Sequence, residues 1–258
     1  MRRVDLPRFA IGMRTTTTTL RLDPRLNGPP RSANGGFASG AIAQAIGGTA
    51  SVRLNRPVPL DTPLDVTTDA DGLSVRITDP DLHLVAEARR VDPFTMAPPE
   101  KPSFAEAEAA RAASPLQGVR HLLSDCVVCG PERRDGLGVT PGPLPHRSDV
   151  LAAPFVPHER AATDGVVHPE AVWGALDCPS YPATSLLGRR LGLLGTLSAH
   201  RHRDVLVGER LIVVGWTIDR RGRATQTASA LLDERGDVVA SAQAVWIELE
   251  NQWRGGVR

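Results

Sequence analysis

The hydrophobic pattern of this chain repeats one order of elements twice. A mostly apolar helical stretch, opened by Gly or Pro, is followed by stretches in which apolar and polar residues alternate as they do in strands. The helices are predicted at 36–46 and 168–177, and the strands that follow them at 59–66, 73–78 and 84–91 and at 205–214, 225–232 and 238–249. This order predicts an α+β protein with two antiparallel sheets, each wrapped around a central buried helix.

The repeat divides the chain into two units joined by a linker. Residues 1–95 are predicted to form the N-terminal unit and residues 121–258 the C-terminal unit. The linker, 96–120, begins with a proline-rich extended run and continues with an alanine- and glutamate-rich run that favours a short helix. The first predicted helix is apolar nearly all round, which indicates a buried position.

Charge and hydropathy exclude several classes of protein. Lys and Arg total 30 against 29 Asp and Glu, a net charge of +1, which argues against nucleic acid as a partner. No run of about 18 apolar residues occurs, so no membrane span is predicted. Asp5, Arg8 and Arg14 interrupt any export signal, and three cysteines, an odd number, do not indicate a disulfide framework. We therefore expect a cytoplasmic protein.

Three motifs resemble those of acyl-CoA thioesterases with a duplicated, or double, hotdog fold. Asn-Gly-Gly-Phe at 34–37, ahead of a helix of small residues, is similar to the opening of bacterial acyl-CoA thioesterase halves. Cys-x-x-Cys-Gly-Pro at 126–131, followed by Gly-Leu at 136–137, is similar to the start of many single hotdog thioesterases. His168 and Asp177 have the spacing of the His and the helical carboxylate in phenylacetate-pathway thioesterases. The resemblance implies a double hotdog that hydrolyses acyl-CoA.

The catalytic candidates follow from what thioester hydrolysis requires. The reaction needs donors for the developing oxyanion and a carboxylate that activates or replaces the attacking water. Gly35 and Gly36 lie at a predicted helix start, where N–H groups lack partners within the helix, whereas the second helix has Pro169, which carries no N–H. The resemblance implies a site between the units, with amides from one and the carboxylate from the other. We expect one composite site, in which Gly35 and Gly36 face Asp177.

Asp177 also has a plainer interpretation. It precedes Cys178 and Pro179, and the residue before a proline rarely stays helical, so Asp177 is expected close to the end of a helix. In that interpretation its side chain simply makes a local hydrogen bond.

Further candidates would surround the acyl-CoA. The residues expected to contact the acyl group or position a water are Asn34, Phe37, Gln44, His168, Trp173, Ser180 and Tyr181. Those expected to bind the phosphates of coenzyme A, beside an insert between the second helix and its sheet, are Arg189, Arg190 and Arg201. Coenzyme A enters only as part of the substrate, and no separate cofactor is required. Each of these residues also has an ordinary alternative as a helix-entry, turn, core or solvated surface group.

No metal site is predicted. Cys126 and Cys129 have metal-ligand spacing, but a zinc site needs about four ligands, and only Cys178 and scattered histidines such as His121 and His146 remain. We interpret the pair as small packing groups at the start of a strand.

The function expected from these patterns is hydrolysis of an acyl-CoA to a carboxylic acid and coenzyme A. A non-catalytic acyl-CoA-binding protein of the same fold is one alternative, and a hotdog hydratase or dehydratase is another, although no Asp-x-x-x-x-His pair precedes a helix. Ser198 stands where acyl-CoA thioesterase II carries an Asp, so that version of the chemistry is not supported. A purely structural scaffold would leave the paired glycines and Asp177 unexplained. Association of such units into a homo-oligomer is left open.

Overall fold

The computed structural model of the protein describes residues 15–118 and 123–250. The charged residues that argue against an export signal and His121 lie outside this part of the chain. The helices are α1 (Gly35–Ala43), α2 (Phe104–Ala112), α3 (Pro169–Asp177) and α4 (Ala183–Leu187), with 3-10 turns at Pro24–Leu26, Glu159–Ala161 and Cys178–Ser180. The strands of the first half are β1 (Thr16–Leu20), β2 (Ala50–Leu54), β3 (Leu64–Thr68), β4 (Ser74–Thr78) and β5 (Leu84–Arg90). Those of the second half are β6 (Gly142–Leu144), β7 (Arg147–Phe155), β8 (Ala162–Thr163), β9 (Val166–Val167), β10 (Gly192–Arg201), β11 (Leu211–Arg221), β12 (Ala224–Leu232) and β13 (Val238–Glu248).

The prediction of two separate sheets is wrong. Both halves contribute to one antiparallel 11-stranded sheet in the order β1-β3-β4-β5-β2-β10-β13-β12-β11-β7-β6, and β8 pairs with β9 in a small hairpin. The halves join where β2 pairs with β10, with Ser51 opposite Ser198, and the two hydroxyls are hydrogen-bonded at 2.8 Å. An unpaired strand edge presents free N–H and C=O groups, and this pairing satisfies one edge of each half, which leaves β1 and β6 as the outer strands of the sheet.

Several strand positions also differ from the prediction. The strand expected from residue 59 begins at Leu64, since Pro59 and Pro63 cannot donate to a ladder, and the one expected from residue 205 begins at Leu211, after a turn at Gly208. Strands β2, β7 and β10 were not predicted, and the supposed insert after the second helix is largely β10.

Helices α1 and α3 pack against each other on one face of the sheet. Three glycines allow the close approach, because a Cβ added to Gly36, Gly40 or Gly174 would lie within 2.7 Å of an atom of the facing helix. The core around them is continuous from Ile42 in α1 through Leu197 in β10. The ends of α1 and α3 are therefore held together at the centre of the molecule.

Helix α2 covers the other face of the sheet at β6, β7 and β11, where Phe104, Ala107 and Ala110 pack against Ile212 and its neighbours. It lies within the predicted linker, and Ser103 and Glu106 cap its start reciprocally. None of the helices in the described ranges combines the length and apolar character required to cross a membrane.

Candidate functional site

The carboxylate of Asp177, the last residue of α3, lies at the first turn of α1. Its Oδ2 accepts hydrogen bonds from the Gly36 N–H at 2.9 Å and from Asn34 Nδ2 at 3.0 Å. Asp177 is only 1% exposed, and its Oδ1 has no hydrogen-bond partner among residues 15–118 and 123–250. The structure thus brings the predicted acid and one predicted amide donor together across the two halves.

Asn34 and Gly36 create this arrangement on the α1 side. Asn34 is the N-cap, and its Oδ1 accepts from the Phe37 N–H at 3.0 Å, which leaves its Nδ2 for Asp177. A Cβ at position 36 would lie 2.5 Å from the Asp177 Cβ and 2.7 Å from the Trp173 carbonyl oxygen. Only glycine therefore lets the acid approach this close to the helix backbone. Gly35, the other predicted donor, packs against the side chain of Leu194.

The end of α3 fixes the acid from the other side. The helix ends at Asp177 and turns into the 3-10 segment Cys178–Ser180, as expected before Pro179. Hydroxyl groups satisfy two of its last carbonyls, because Ser229 donates to Leu176 at 2.7 Å and Ser180 donates to Asp177 at 2.7 Å. The main chain on both sides of the carboxylate is therefore held in place.

Two effects on Asp177 oppose each other. The pKa of this carboxyl is raised to about 7. Burial raises it, and the hydrogen bonds from Gly36 and Asn34, which favour the ionised form, lower it by less. The N-terminal dipole of α1 also favours negative charge at this point.

Beside the acid lies a cluster of three thiols that was not predicted. The sulfurs of Cys126, Cys129 and Cys178 are buried and lie within 4.8 Å of one another. Asn34 Nδ2 is 3.8 Å from the sulfurs of Cys126 and of Cys178. Residues 126–129 lie in turns rather than at the start of a strand, and the next strand, β6, begins only at Gly142. The interpretation of the pair as strand-start packing groups is wrong in its position and omits the third thiol.

The opposite ends of α1 and α3 hold a different pair. Gln44 Nε2 donates to Glu170 Oε2 at 2.9 Å in an exposed position. His168 precedes α3 without a side-chain capping bond, and its Nε2 is 2.8 Å from the Thr163 hydroxyl. The repeat thus places a buried carboxylate at one end of the helix pair and an exposed amide–carboxylate contact at the other.

Phe37 and Trp173 are buried between the helices. The Phe37 ring occupies the space beside Gly174, where an added Cβ would be 2.7 Å from Cδ2. A cavity of about 300 Å³ lies elsewhere, among charged residues that include Arg203, Arg210 and Asp233. The helices are therefore packed closed in this conformation.

Ser180 and Tyr181 lie close to Asp177 in sequence, but the hydrogen bonds of their hydroxyls go to groups other than its carboxylate. Ser180 accepts from the Trp246 indole N–H at 2.9 Å, in addition to its bond to the Asp177 carbonyl. Tyr181 donates to the Arg190 carbonyl at 2.6 Å, and its ring packs edge-to-face on Trp246. A cavity of about 10 Å³ lies beside this group.

The predicted phosphate-binding arginines lie just before strand β10 (Arg189 and Arg190) and at its last residue (Arg201), not beside an insert. Arg190 forms an ion pair with Glu248, and Arg201 pairs with Asp204 at 3.2 Å. Arg189 is exposed in a left-handed turn with φ of 51°. Two of the three guanidinium groups are therefore already paired with carboxylates.

Solved structures resemble the whole described arrangement. A candidate thioesterase from Novosphingobium aromaticivorans is 14% identical, covers 90% of this chain and 94% of its own, and has a TM-score of 0.61. The tesB protein of Mycobacterium avium subsp. paratuberculosis is 14% identical over 93% and 94% of the two chains, with a TM-score of 0.56. A protein of unknown function with a hot dog fold from Alicyclobacillus acidocaldarius is 9% identical over 93% and 97%, with a TM-score of 0.52.

The protein has a hotdog fold. The likeness extends over both halves, because each of these relatives covers at least nine tenths of the chain. No protein-family model and no curated protein sequence matches it. At these identities the hotdog likeness concerns the fold, and the chemistry has to be argued from the site.

Proposed function

We propose that this hotdog protein is a thioesterase that hydrolyses an acyl-CoA. The observation that carries the proposal is the 2.9 Å contact between the Asp177 carboxylate of one half and the Gly36 N–H of the other. An acid and a helix-start amide at one point are the two groups that thioester hydrolysis needs. The name of the Novosphingobium structure supports the same class of reaction.

The chemical step assigns a role to each group. Asp177 accepts a proton from a water molecule, whose oxygen attacks the thioester carbonyl carbon. The Gly36 N–H donates to the carbonyl oxygen as it becomes negative, and the positive end of the α1 dipole stabilises the same charge. The tetrahedral intermediate then expels the thiolate of coenzyme A, which takes up the proton. The products are a carboxylic acid and a free thiol.

Access to this site requires a local rearrangement. Asp177 Oδ2 occupies the Gly36 N–H that the thioester oxygen would use, and the acid is 1% exposed. A substrate would therefore displace the carboxylate from this bond while Asn34 still holds it at 3.0 Å. The acyl group would enter beside Phe37 and Trp173 as the ends of α1 and α3 separate.

The closed packing of the helices favours one alternative, a protein that binds acyl-CoA without hydrolysing it. The glycine contacts between α1 and α3 hold the acid away from solvent, as expected if the site no longer turns over. In that case Asp177 serves as a buried cap of α1.

Release of free thiol from a panel of acyl-CoAs of different chain length, run beside calorimetric binding, tests the proposal. The hydrolase predicts thiol release that is proportional to enzyme concentration for at least one acyl-CoA. Binding without thiol release would select the non-catalytic protein. The absence of both binding and thiol release with short, long and aromatic acyl-CoAs would overturn both assignments.

A further inference from the structure

The three cysteines of the chain converge although two of them lie about 50 residues before the third. The sequence contains only three, and all three sulfurs are buried within 4.8 Å of one another. Two come from the loop at 126–129, and Cys178 directly follows α3. Around one tetrahedral zinc ion, bonds of about 2.3 Å separate the sulfurs by about 3.8 Å, so these thiols need to move by at most about 1 Å to bind the same ion.

The loop at 126–129 is a tight turn that brings its two cysteines close together. Cys126 and Cys129 stand at the two ends of this turn, and both side chains are buried. Gly130 closes the turn with a hydrogen bond to the Cys126 carbonyl at 2.9 Å, and a Cβ there would lie 2.6 Å from that same oxygen. The turn therefore depends on glycine directly after the second cysteine.

Polar side chains beside the cluster could form hydrogen bonds to thiolates and to a water molecule on a bound metal. Asn34 Nδ2 lies 3.8 Å from the sulfurs of Cys126 and Cys178, and it also donates a hydrogen bond to the Asp177 carboxylate. The Oδ1 of Asp177, buried beside Cys178 and unpartnered among the described residues, is a polar atom that a metal-bound water would satisfy. Ligands of a bound metal are generally oriented by such hydrogen bonds.

We propose that Cys126, Cys129 and Cys178 bind one zinc ion, with a water molecule as the fourth ligand. Thiolate sulfur is a soft ligand that suits zinc better than magnesium or calcium. On binding, the three thiols lose their protons to solvent, and the three thiolates replace all but one of the ion's water ligands. The ion would fasten the cysteine loop to the end of α3, which carries Asp177. The zinc ion would position Asp177, and metal content and stability measure its binding separately from thioester hydrolysis.

Metal analysis of the full-length protein, purified with zinc chloride and without chelators, tests this site. We expect about one zinc per chain. After removal of the metal, titration with cobalt chloride should produce a thiolate-to-cobalt charge-transfer band and the intense visible bands of a tetrahedral ion. Addition of a strong chelator to the zinc-loaded protein should lower the melting temperature. These measurements need no variant.

Variants then locate the ion. Cys129→Ser and Cys178→Ser should each weaken zinc binding by about 100-fold or more. Val128→Ala is the matched control, since it removes a buried side chain from the same loop but keeps all three thiols. It should bind zinc as the parent protein does. Three free thiols without zinc, a disulfide between any two of them, or zinc that persists in both serine variants would overturn the proposal.

Discussion

Asn34 uses both ends of its side-chain amide, and no other residue type would serve as well. Its Oδ1 caps α1 through the Phe37 N–H, and its Nδ2 donates to Asp177. Asp could keep the cap but would add a negative charge beside a buried carboxylate. The side chain thereby couples the start of the first helix to the acid of the second half.

Replacement of Asn34 by Ala should destabilise the protein more than loss of a helix cap alone. We expect the free energy of unfolding to fall by about 2 to 4 kcal/mol, because the cap is lost and a buried carboxylate loses a donor. Ser103→Ala, which removes the N-cap of α2 at an exposed position, should cost about 1 kcal/mol. Urea unfolding of both variants measures the difference. Equal losses would show that the Asn34–Asp177 bond adds nothing.

Single residues were predictable from the sequence where local rules decide their place. The helix starts at Asn34 and His168 and the end of a helix at Asp177 follow from capping residues, glycines and prolines. The thiol cluster was not predictable in the same way. Cys178 joins Cys126 and Cys129 only through the fold, so the one available signal was that the chain contains three cysteines and no others.

At the scale of elements, α1 and α3 approach closely because small residues face each other. A Cβ on Gly40 would lie 2.5 Å from the Cα of Glu170 and 2.9 Å from the Cβ of Trp173. Glycine normally weakens a helix relative to alanine, so its presence here reflects packing rather than helix propensity. The distance between the helices depends on these contacts, and so does the Asp177–Gly36 contact at their ends.

Substitution at Gly40 separates packing from propensity. Gly40→Ala should lower the free energy of unfolding by about 1 to 3 kcal/mol despite the better helix former, because the added methyl group overpacks the interface. Ser39→Ala is the control in the same helix. Its buried hydroxyl lacks a hydrogen-bond partner in the described structure, so its removal should leave stability unchanged or raise it by up to about 1 kcal/mol. A Gly40→Ala protein as stable as Ser39→Ala would contradict the close packing.

The sequence predicted elements well where turn residues bound them. Strands β12 and β13 agree closely with prediction, since the turns around Gly222 and Gly236 separate alternating runs. Strand β10 carries too little polar alternation to be recognised, and β2 is short. Each is held between two neighbours, β2 between β5 and β10 and β10 between β2 and β13, and such long-range pairing is not encoded in the local pattern.

At the scale of the molecule, the two halves form one structure. A single sheet crosses the junction at β2 and β10, and the facing helices share one core. The duplicated pattern was visible in the sequence, and so was the difference between the copies, with Gly36 in one and Asp177 in the other. The continuity of the sheet was not visible in the sequence, because the pairing of edge strands depends on how the two halves dock. The candidate site consequently belongs to the whole chain rather than to either half.

The most direct test of this account compares two carboxylates on the same helix. Asp177→Asn keeps an oxygen that can accept from Gly36 and Asn34 but removes the base, whereas Glu170→Gln alters the exposed acid at the opposite end of α3. With the acyl-CoA that the parent protein hydrolyses best, we predict that kcat/KM falls by about 100-fold or more in Asp177→Asn and stays close to the parent value in Glu170→Gln. Melting temperatures near that of the parent would show that both variants are folded. Undiminished hydrolysis by a folded Asp177→Asn protein would contradict the assignment of the acid at the junction of the two halves.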